Sequence, residues 1–232
     1  MTTKQSTLDD FIYKANKKNL SINYIQVNHL GETIAEYSRL SEYTRLELYS
    51  VSKSVTAIGV GIALDEQLIT LDEKLYESFL EYETKDTFGN VKKITVKDLL
   101  KMSCGFEKGH FFRDDLMRYE TNNWIDYFFR QDFPNKPGEK FVYSNFNSYM
   151  LAALIEKKSG ERFIDYLKPR LFEPLGISNP DWTLCPSGHC HAAFGLSLTI
   201  QEITKLGEML LNEGRYKGNR ILSSEFLQNA TK

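Results

Sequence analysis

After Tyr37 the chain offers few segments that read as β-strand, and that shortage governs any account of its fold. Residues 21–28 are rich in β-formers (Ile22, Tyr24, Ile25, Val27), His29-Leu30-Gly31-Glu32 breaks the run, and residues 33–37 resume an extended character. That pattern predicts a β-hairpin. Ahead of it, Leu8, Phe11, Ile12 and Ala15 fall on one stripe of an amphipathic helix over residues 8–19. Beyond the hairpin the pattern is mostly helical. Val55, Ile58, Gly59, Ile62 and Ala63 form a helical stripe ending near Asp65, and Thr95-Val96-Lys97-Asp98 is a capping box opening a short helix through Met102. Residues 145–158 predict another helix, stopped by Gly160. Residues 163–171 predict one interrupted at Pro169, and residues 200–212 a final amphipathic one. Residues 84–93 and 132–140 read as loops. A lone hairpin is marginal in water, so this one needs further strands or a covering helix.

Composition narrows the function classes. At 232 residues and 26.9 kDa, with 41% apolar and 26% charged residues, the chain can bury a core, which excludes a disordered tail, a collagen-like chain and a coiled coil. A net charge of −2 and a pI near 6.1 give no electrostatic reason to expect nucleic acid or an anionic membrane as partner. A small molecule or short peptide remains as the expected partner. No run of 18 apolar residues exists, and residues 1–20 carry Lys4, Asp9, Asp10, Lys14, Lys17 and Lys18 with no apolar signal core. With three cysteines, an odd number, the expectation is a reduced, cytoplasmic protein of unspecified oligomeric state.

Two short motifs carry chemistry. Ser50-Val51-Ser52-Lys53 sits where an extended stretch enters a helix, so Lys53 lies one turn along from Ser50 on the same face. A serine hydroxyl needs a neighbouring base to act as nucleophile. The helix N-terminus favours the neutral amine of Lys53 and anionic species beside Ser50. The bland alternative is an N-cap serine with a solvated lysine. Tyr143-Ser144-Asn145 comes after the Pro137-Gly138 turn and opens a helix. A tyrosine there becomes a proton acceptor if cations depress its pKa, with Asn145 donating to a substrate amide oxygen. The alternative is a buried tyrosine before an Asn cap.

Taken together, these stretches resemble the serine beta-lactamase-like family, which includes class C beta-lactamases, DD-peptidases and related esterases and amidases. Ser-x-x-Lys is that superfamily's nucleophile motif, and Tyr143-Ser144-Asn145 matches the Tyr-x-Asn of the class C branch. Residues 48–54, 69–73, 96–105, 137–141, 174–177 and 194–199 resemble further family segments in order, with Cys104 where a serine is usual. The resemblance implies an α/β (α+β) fold of the beta-lactamase/penicillin-binding-protein type, an antiparallel sheet with flanking helices plus a helical lobe. The expected organisation is a single domain over residues 1–232, with a sheet lobe at about 1–49 and 175–232 and a helical lobe at about 50–174. It further implies Ser50 as acylated nucleophile, Lys53 as its proton-handling partner, Tyr143 as general base or relay, and Asn145 as substrate-orienting donor. The Ser50 N–H would form half an oxyanion hole, and no metal or organic cofactor is implied. The expected activity is acyl transfer to Ser50 from an ester, an amide or a D-amino-acid peptide.

The pattern breaks at the family's third motif, Lys-Thr-Gly or a variant on a C-terminal strand. Lys158-Ser159-Gly160 fits the letters but ends a helix, so the third motif and its strands are expected to be absent from residues 1–232. The hairpin would then show an unpaired edge and an uncovered apolar face, unless the chain is a shortened form of a longer one, other elements cover it, or strands swap in a dimer. The missing motif supports a rival reading, a catalytically impaired binding or sensing module. Cys185-Pro186-Ser187-Gly188-His189-Cys190-His191 reads as loop before metal site or disulfide, its spacing fitting no zinc pattern. His110 reads as an exposed loop histidine, and Asp114, Asp115 and Trp124 are left unassigned.

Overall fold

The computed structural model describes residues 3–231. The chain opens with helix α1 (Thr3–Lys17), then strands β1 (Tyr24–His29), β2 (Glu32–Ser38) and β3 (Leu46–Glu47). Helices α2 (Ser52–Asp65), α3 (Val96–Leu100), α4 (Met117–Glu120), α5 (Trp124–Phe129), α6 (Asn145–Ser159) and α7 (Phe163–Leu167) form the middle. Strands β4 (Asp181–Trp182) and β5 (Leu196–Leu198), helix α8 (Ile200–Leu211), strands β6 (Arg215–Tyr216) and β7 (Asn219–Arg220) and helix α9 (Ser224–Ala230) complete it.

Helix α6 centres the main core. Every residue from Asn145 to Glu156 is buried, as expected of a helix apolar on nearly all sides, and Gly160 stops it in the left-handed region at φ 74°. Helix α2 packs against it. A block of fully buried rings fills the space beside α6, with Phe111 stacked on Phe146 at 4.4 Å and Phe106 on Phe133 at 4.7 Å between centroids. The capping box at α3 forms as its letters predict, Thr95 Oγ1 accepting from Asp98 N while Asp98 caps Thr95 N. Pro169 leaves its mark too: α7 gives way to a widened π turn over Lys168–Phe172.

The β-structure is antiparallel throughout but fragmented: β1–β2, then β3-β5-β4, then β6–β7. The five strands after β2 are two or three residues long, too short for alternation to show in sequence. Between them, β3 and β5 (Leu46↔Leu198, Glu47↔Ser197) bring residues near 193–196 against the entry to α2.

Of the alternatives open for the hairpin, the structure shows coverage by another element. The hairpin's apolar face is covered, because α1 lays Leu8 and Ile12 on Ala35, with Ile22, Ile25 and Tyr37 around them. The edge of β2 is covered locally as well: Gln5 accepts from Glu36 N at 3.2 Å and donates to Glu36 O at 3.2 Å, occupying the backbone groups a further strand would use. Asn28 Nδ2 donates to Glu208 Oε1 at 2.7 Å, tying β1 to α8. Among the described residues no helix is long and apolar enough to cross a membrane.

Candidate active site

Chain direction places Ser50. After β3, Leu48 N donates to Leu196 O at 2.8 Å, fixing the strand end. Tyr49 then adopts φ 46°, a left-handed conformation costly for a residue with a Cβ, and a single 3-10 turn over Tyr49–Val51 runs into α2. Ser50 is thereby exposed at the turn that begins a 14-residue helix. The N-cap alternative fails, because the residue at that position is Val51 and no side chain caps α2.

Lys53 is equally committed. Its Nζ donates to Ala193 O at 2.7 Å and to Ser50 Oγ at 3.3 Å, so it is not a solvated lysine. One turn on, Thr56 Oγ1 donates to Ala192 O at 2.7 Å, and Ser52 Oγ accepts from Leu196 N at 3.3 Å. The first turn and a half of α2 is thus stitched to residues 192–196.

Tyr143 reaches Ser50 from the other side. Val142 N donates to Met102 O at 2.8 Å, and Ser144 caps α6, its Oγ accepting from Phe146 N at 3.3 Å and donating to His110 O at 3.0 Å. Gly109 is needed here, since a Cβ on it would lie 2.5 Å from Tyr143 O. Tyr143 is 39% exposed, not buried, and its OH donates to Ser50 Oγ at 3.0 Å. Its ring lies nearly parallel to Phe112 at 6.0 Å, and Lys53 Nζ stands 5.0 Å from the ring centroid. Burial pushes the phenol pKa up, but the hydrogen bond with Ser50 and the neighbouring Lys53 amine together outweigh it, leaving Tyr143 below its usual range. Ser50 Oγ therefore contacts two groups able to take and return a proton.

Asn145 stands elsewhere in this arrangement. It is the first residue of α6, buried, and its Nδ2 donates to Phe111 O at 2.8 Å. In this structure its amide fastens the 110–111 loop behind the site instead of pointing a donor at Ser50.

Two loop expectations are revised or resolved. His110 is half-buried, its ring 4.7 Å from Phe106, and burial lowers its pKa; the exposed reading failed because its loop folds back onto the ring cluster. Residues 185–191 form a turn closed by Cys185 N donating to His189 O at 2.8 Å. Glu156 anchors it by accepting from Cys190 N at 3.1 Å and pairing with His189 Nδ1. Cys185 and Cys190 are both free and buried, and the described residues hold no group of three or more His, Cys, Asp or Glu suited to a metal.

Sequence reasoning missed three contributors. The Ala193 carbonyl holding Lys53 is backbone, and no side-chain pattern signals it. Phe112, against Tyr143, was hidden in an unremarkable Phe-Phe pair. Arg118, buried near His191 and Phe194, belongs to no motif that would single it out.

Residues 22–215 match the family model described as Beta-lactamase. Penicillin-binding protein 4* of Bacillus subtilis (strain 168) is 24% identical over 192 residues, covering 79% of this chain and 41% of that protein. The 6-aminohexanoate-dimer hydrolase of Paenarthrobacter ureafaciens is 25% identical over 216 residues, covering 86% of this chain and 54% of that protein. The chain thus spans about half the length of these curated relatives. A class C beta-lactamase structure superposes with a TM-score of 0.73 at 17% identity, over 97% of this chain and 68% of that one, a likeness of fold. With the model match spanning most of its length and this fold around it, the chain belongs to the beta-lactamase family.

Proposed function

We propose that this protein is a serine hydrolase working through an acyl-enzyme on Ser50, with an ester, an amide or a D-amino-acid peptide as substrate. The observation that carries the reading is the convergence on Ser50 Oγ of Tyr143 OH at 3.0 Å and Lys53 Nζ at 3.3 Å. In the acylation step Ser50 Oγ attacks the carbonyl carbon, and its proton passes to Tyr143 in the phenolate form that Lys53 favours. The same proton is returned to the leaving alcohol or amine as the C–O or C–N bond breaks. Water then attacks the ester on Ser50, giving up a proton by the same route, and releases the acid. The Ser50 N–H, at the positive end of α2, supports the oxyanion. Asn145 serves this scheme as a positioning residue, holding the loop that carries Phe112 against Tyr143.

A second oxyanion donor is worth about 10²–10³ in rate, so the suited assay uses reagents activated toward serine. Intact mass is measured on folded protein after incubation with a fluorophosphonate and, separately, a penicillin. A single adduct that disappears in Ser50→Ala is expected. Labelling by penicillin as well would narrow the substrates to lactams and peptides. Folded protein that takes up neither reagent would overturn the enzyme reading and leave a binding module.

A further inference from the structure

Residues 191–196 run against the start of α2, and each of their carbonyls has a donor. His191 O accepts from Ala193 N at 2.6 Å, Ala192 O from Thr56 Oγ1 at 2.7 Å and Ala193 O from Lys53 Nζ at 2.7 Å. Phe194 O accepts from Trp182 Nε1 at 2.9 Å, Gly195 O from Thr183 N at 3.1 Å and Leu196 O from Leu48 N at 2.8 Å. Thr56 and Lys53 thus hold two consecutive carbonyls, and they stand three residues apart on one face of α2.

Neighbouring carbonyls of an extended chain point to opposite sides, so two in a row face one helix only where the backbone turns between them. That turn is present. Ala193 N closes a three-residue ring onto His191 O, and Ala192 at its centre has φ 59°. This is the rare, strained hand of the γ-turn, and a residue with a Cβ keeps it only where its surroundings over-determine it. Thr56 supplies that restraint. Its side chain is buried, and its hydroxyl has one hydrogen to give. The commonplace use of a threonine inside a helix is a bond to the carbonyl four residues back, and Ser52 O does lie at 3.3 Å. Ala192 O lies nearer, at 2.7 Å, and takes the hydrogen.

We infer that Thr56 is a positioning residue for Lys53: its hydroxyl fixes the strained turn at Ala192, so that the Ala193 carbonyl holds the Lys53 amine beside Ser50 and Tyr143. Without that hydroxyl the turn relaxes and the Ala193 carbonyl loses its aim. Lys53 Nζ then has no acceptor at its present place, 3.3 Å from Ser50 Oγ and 5.0 Å from the centre of the Tyr143 ring. Among the described residues Lys53 is the charge that acts on the Tyr143 phenol, lowering its pKa, so its departure is readable there. The consequence for turnover rests on the acyl-enzyme reading of Ser50, whereas the placement of Lys53 does not.

The test uses the whole chain with Thr56→Val, which exchanges the hydroxyl for a methyl of similar size, and Thr56→Ser, which keeps the hydroxyl. The first readout is the titration of Tyr143 itself, followed by the Cζ resonance of isotope-labelled tyrosine and assigned by its loss in Tyr143→Phe. The midpoint should move up toward the usual phenol range in Thr56→Val and return in Thr56→Ser. The second is the rate of fluorophosphonate labelling of Ser50. It should fall about 10- to 100-fold in Thr56→Val, the cost of a misplaced group in a site, and recover in Thr56→Ser. An unmoved Tyr143 midpoint in Thr56→Val would overturn the inference even if labelling slowed, because loosened packing slows labelling without touching the phenol. A Thr56→Ser variant that titrates like Thr56→Val would overturn it too. Should Thr56→Val not unfold cooperatively, Thr56→Ala removes the same hydroxyl and takes its place. If wild-type Ser50 takes no label but the Tyr143 midpoint follows the hydroxyl, the acyl-enzyme reading fails and the positioning role stands. If Ser50 labels and the midpoint ignores the hydroxyl, the reverse holds.

Discussion

Tyr143 touches Ser50 with one atom and Phe112 with a whole ring, so its chemistry and its packing can be separated. Tyr143→Phe deletes the hydroxyl and keeps the stack. Acylation by a fluorophosphonate should slow about 10²–10⁴-fold, the range for a positioned proton acceptor. The pH profile gives the sharper result. Wild-type acylation should rise with pH through an ionisation below the usual phenol range, because the proposed base is the phenolate. In Tyr143→Phe that limb should vanish, and its survival would hand the role to another group. His191 offers a stability counterpart. It is 2% exposed, and burial, with Arg118 adding to it, pushes its pKa down to about 3 from 6.5. Between those values the unfolded chain binds a proton that the folded chain refuses, so stability is lost as pH falls from 6.5 toward 3. The slope is about 1.4 kcal/mol per pH unit. Urea unfolding at pH 7, 6, 5 and 4 should show His191→Phe flattening that acid loss, while parallel curves for variant and wild type would place the proton elsewhere. Ser50 and Lys53 were named as candidates from one motif with helix spacing and Tyr143 from its likeness to a family motif, and these are the three groups that meet at Ser50 Oγ. The bond from Asn145 to Phe111 was not legible, since it depends on where a loop 34 residues away folds back.

Helix α2 shows how an element is shaped by what packs on it. A Cβ at Gly61 would lie 2.6 Å from Leu222 Cδ1 and from Phe226 Cδ1, whereas one at Gly207 in α8 would meet nothing within 4 Å. Both glycines are helical, so propensity alone would favour alanine at each by about 1 kcal/mol. Packing reverses the sign at Gly61, where overfilling costs about 1–3 kcal/mol. Gly61→Ala should therefore lower the unfolding midpoint and Gly207→Ala should raise it, and two shifts of the same sign in thermal melts would refute the packing argument. Elements of this kind were mostly legible: α2, α3, α6 and α8 track stripes and terminal signals in the letters, and Thr95-Asp98 announces its own capping box. Strands β3 to β7 were not, because pairing over two or three residues is specified by partners distant in sequence. The alternation of Leu196, Ser197 and Leu198 acquires meaning only beside Leu46 and Glu47.

At the scale of the molecule, two apolar clusters of very different size share one chain. The small one, Leu8, Ile12 and Ala35 with Ile22, Ile25 and Tyr37 around them, joins α1 to the hairpin and is separate from the core centred on α6. Polar contacts help tie the α1–hairpin unit and the segment after it to the rest: Asn28 to Glu208 at 2.7 Å, and Arg45 to Glu202 at 2.6 Å and to Ser178 O at 2.7 Å. Isolated, partly buried hydrogen bonds and ion pairs of this kind are each worth on the order of 1 kcal/mol, whereas a buried core of rings opens only with the whole fold. The hairpin should consequently open as its own unit, with a lower free energy than α2 and α6. Native-state hydrogen exchange resolves this directly. Amides of residues 24–38 that are protected should exchange through a sub-global opening, and those of residues 145–156 through global unfolding. Ile12→Ala sharpens the test, because it removes apolar volume from the small cluster alone, at a cost of about 2 kcal/mol or more. It should lower the opening free energy of the hairpin by that amount while the sub-global opening leaves Ser50, Lys53 and Tyr143 assembled, so fluorophosphonate labelling should persist. A single opening free energy shared by hairpin and α6, dropping together in Ile12→Ala, would mean that the two clusters cooperate and that the site depends on the hairpin being closed.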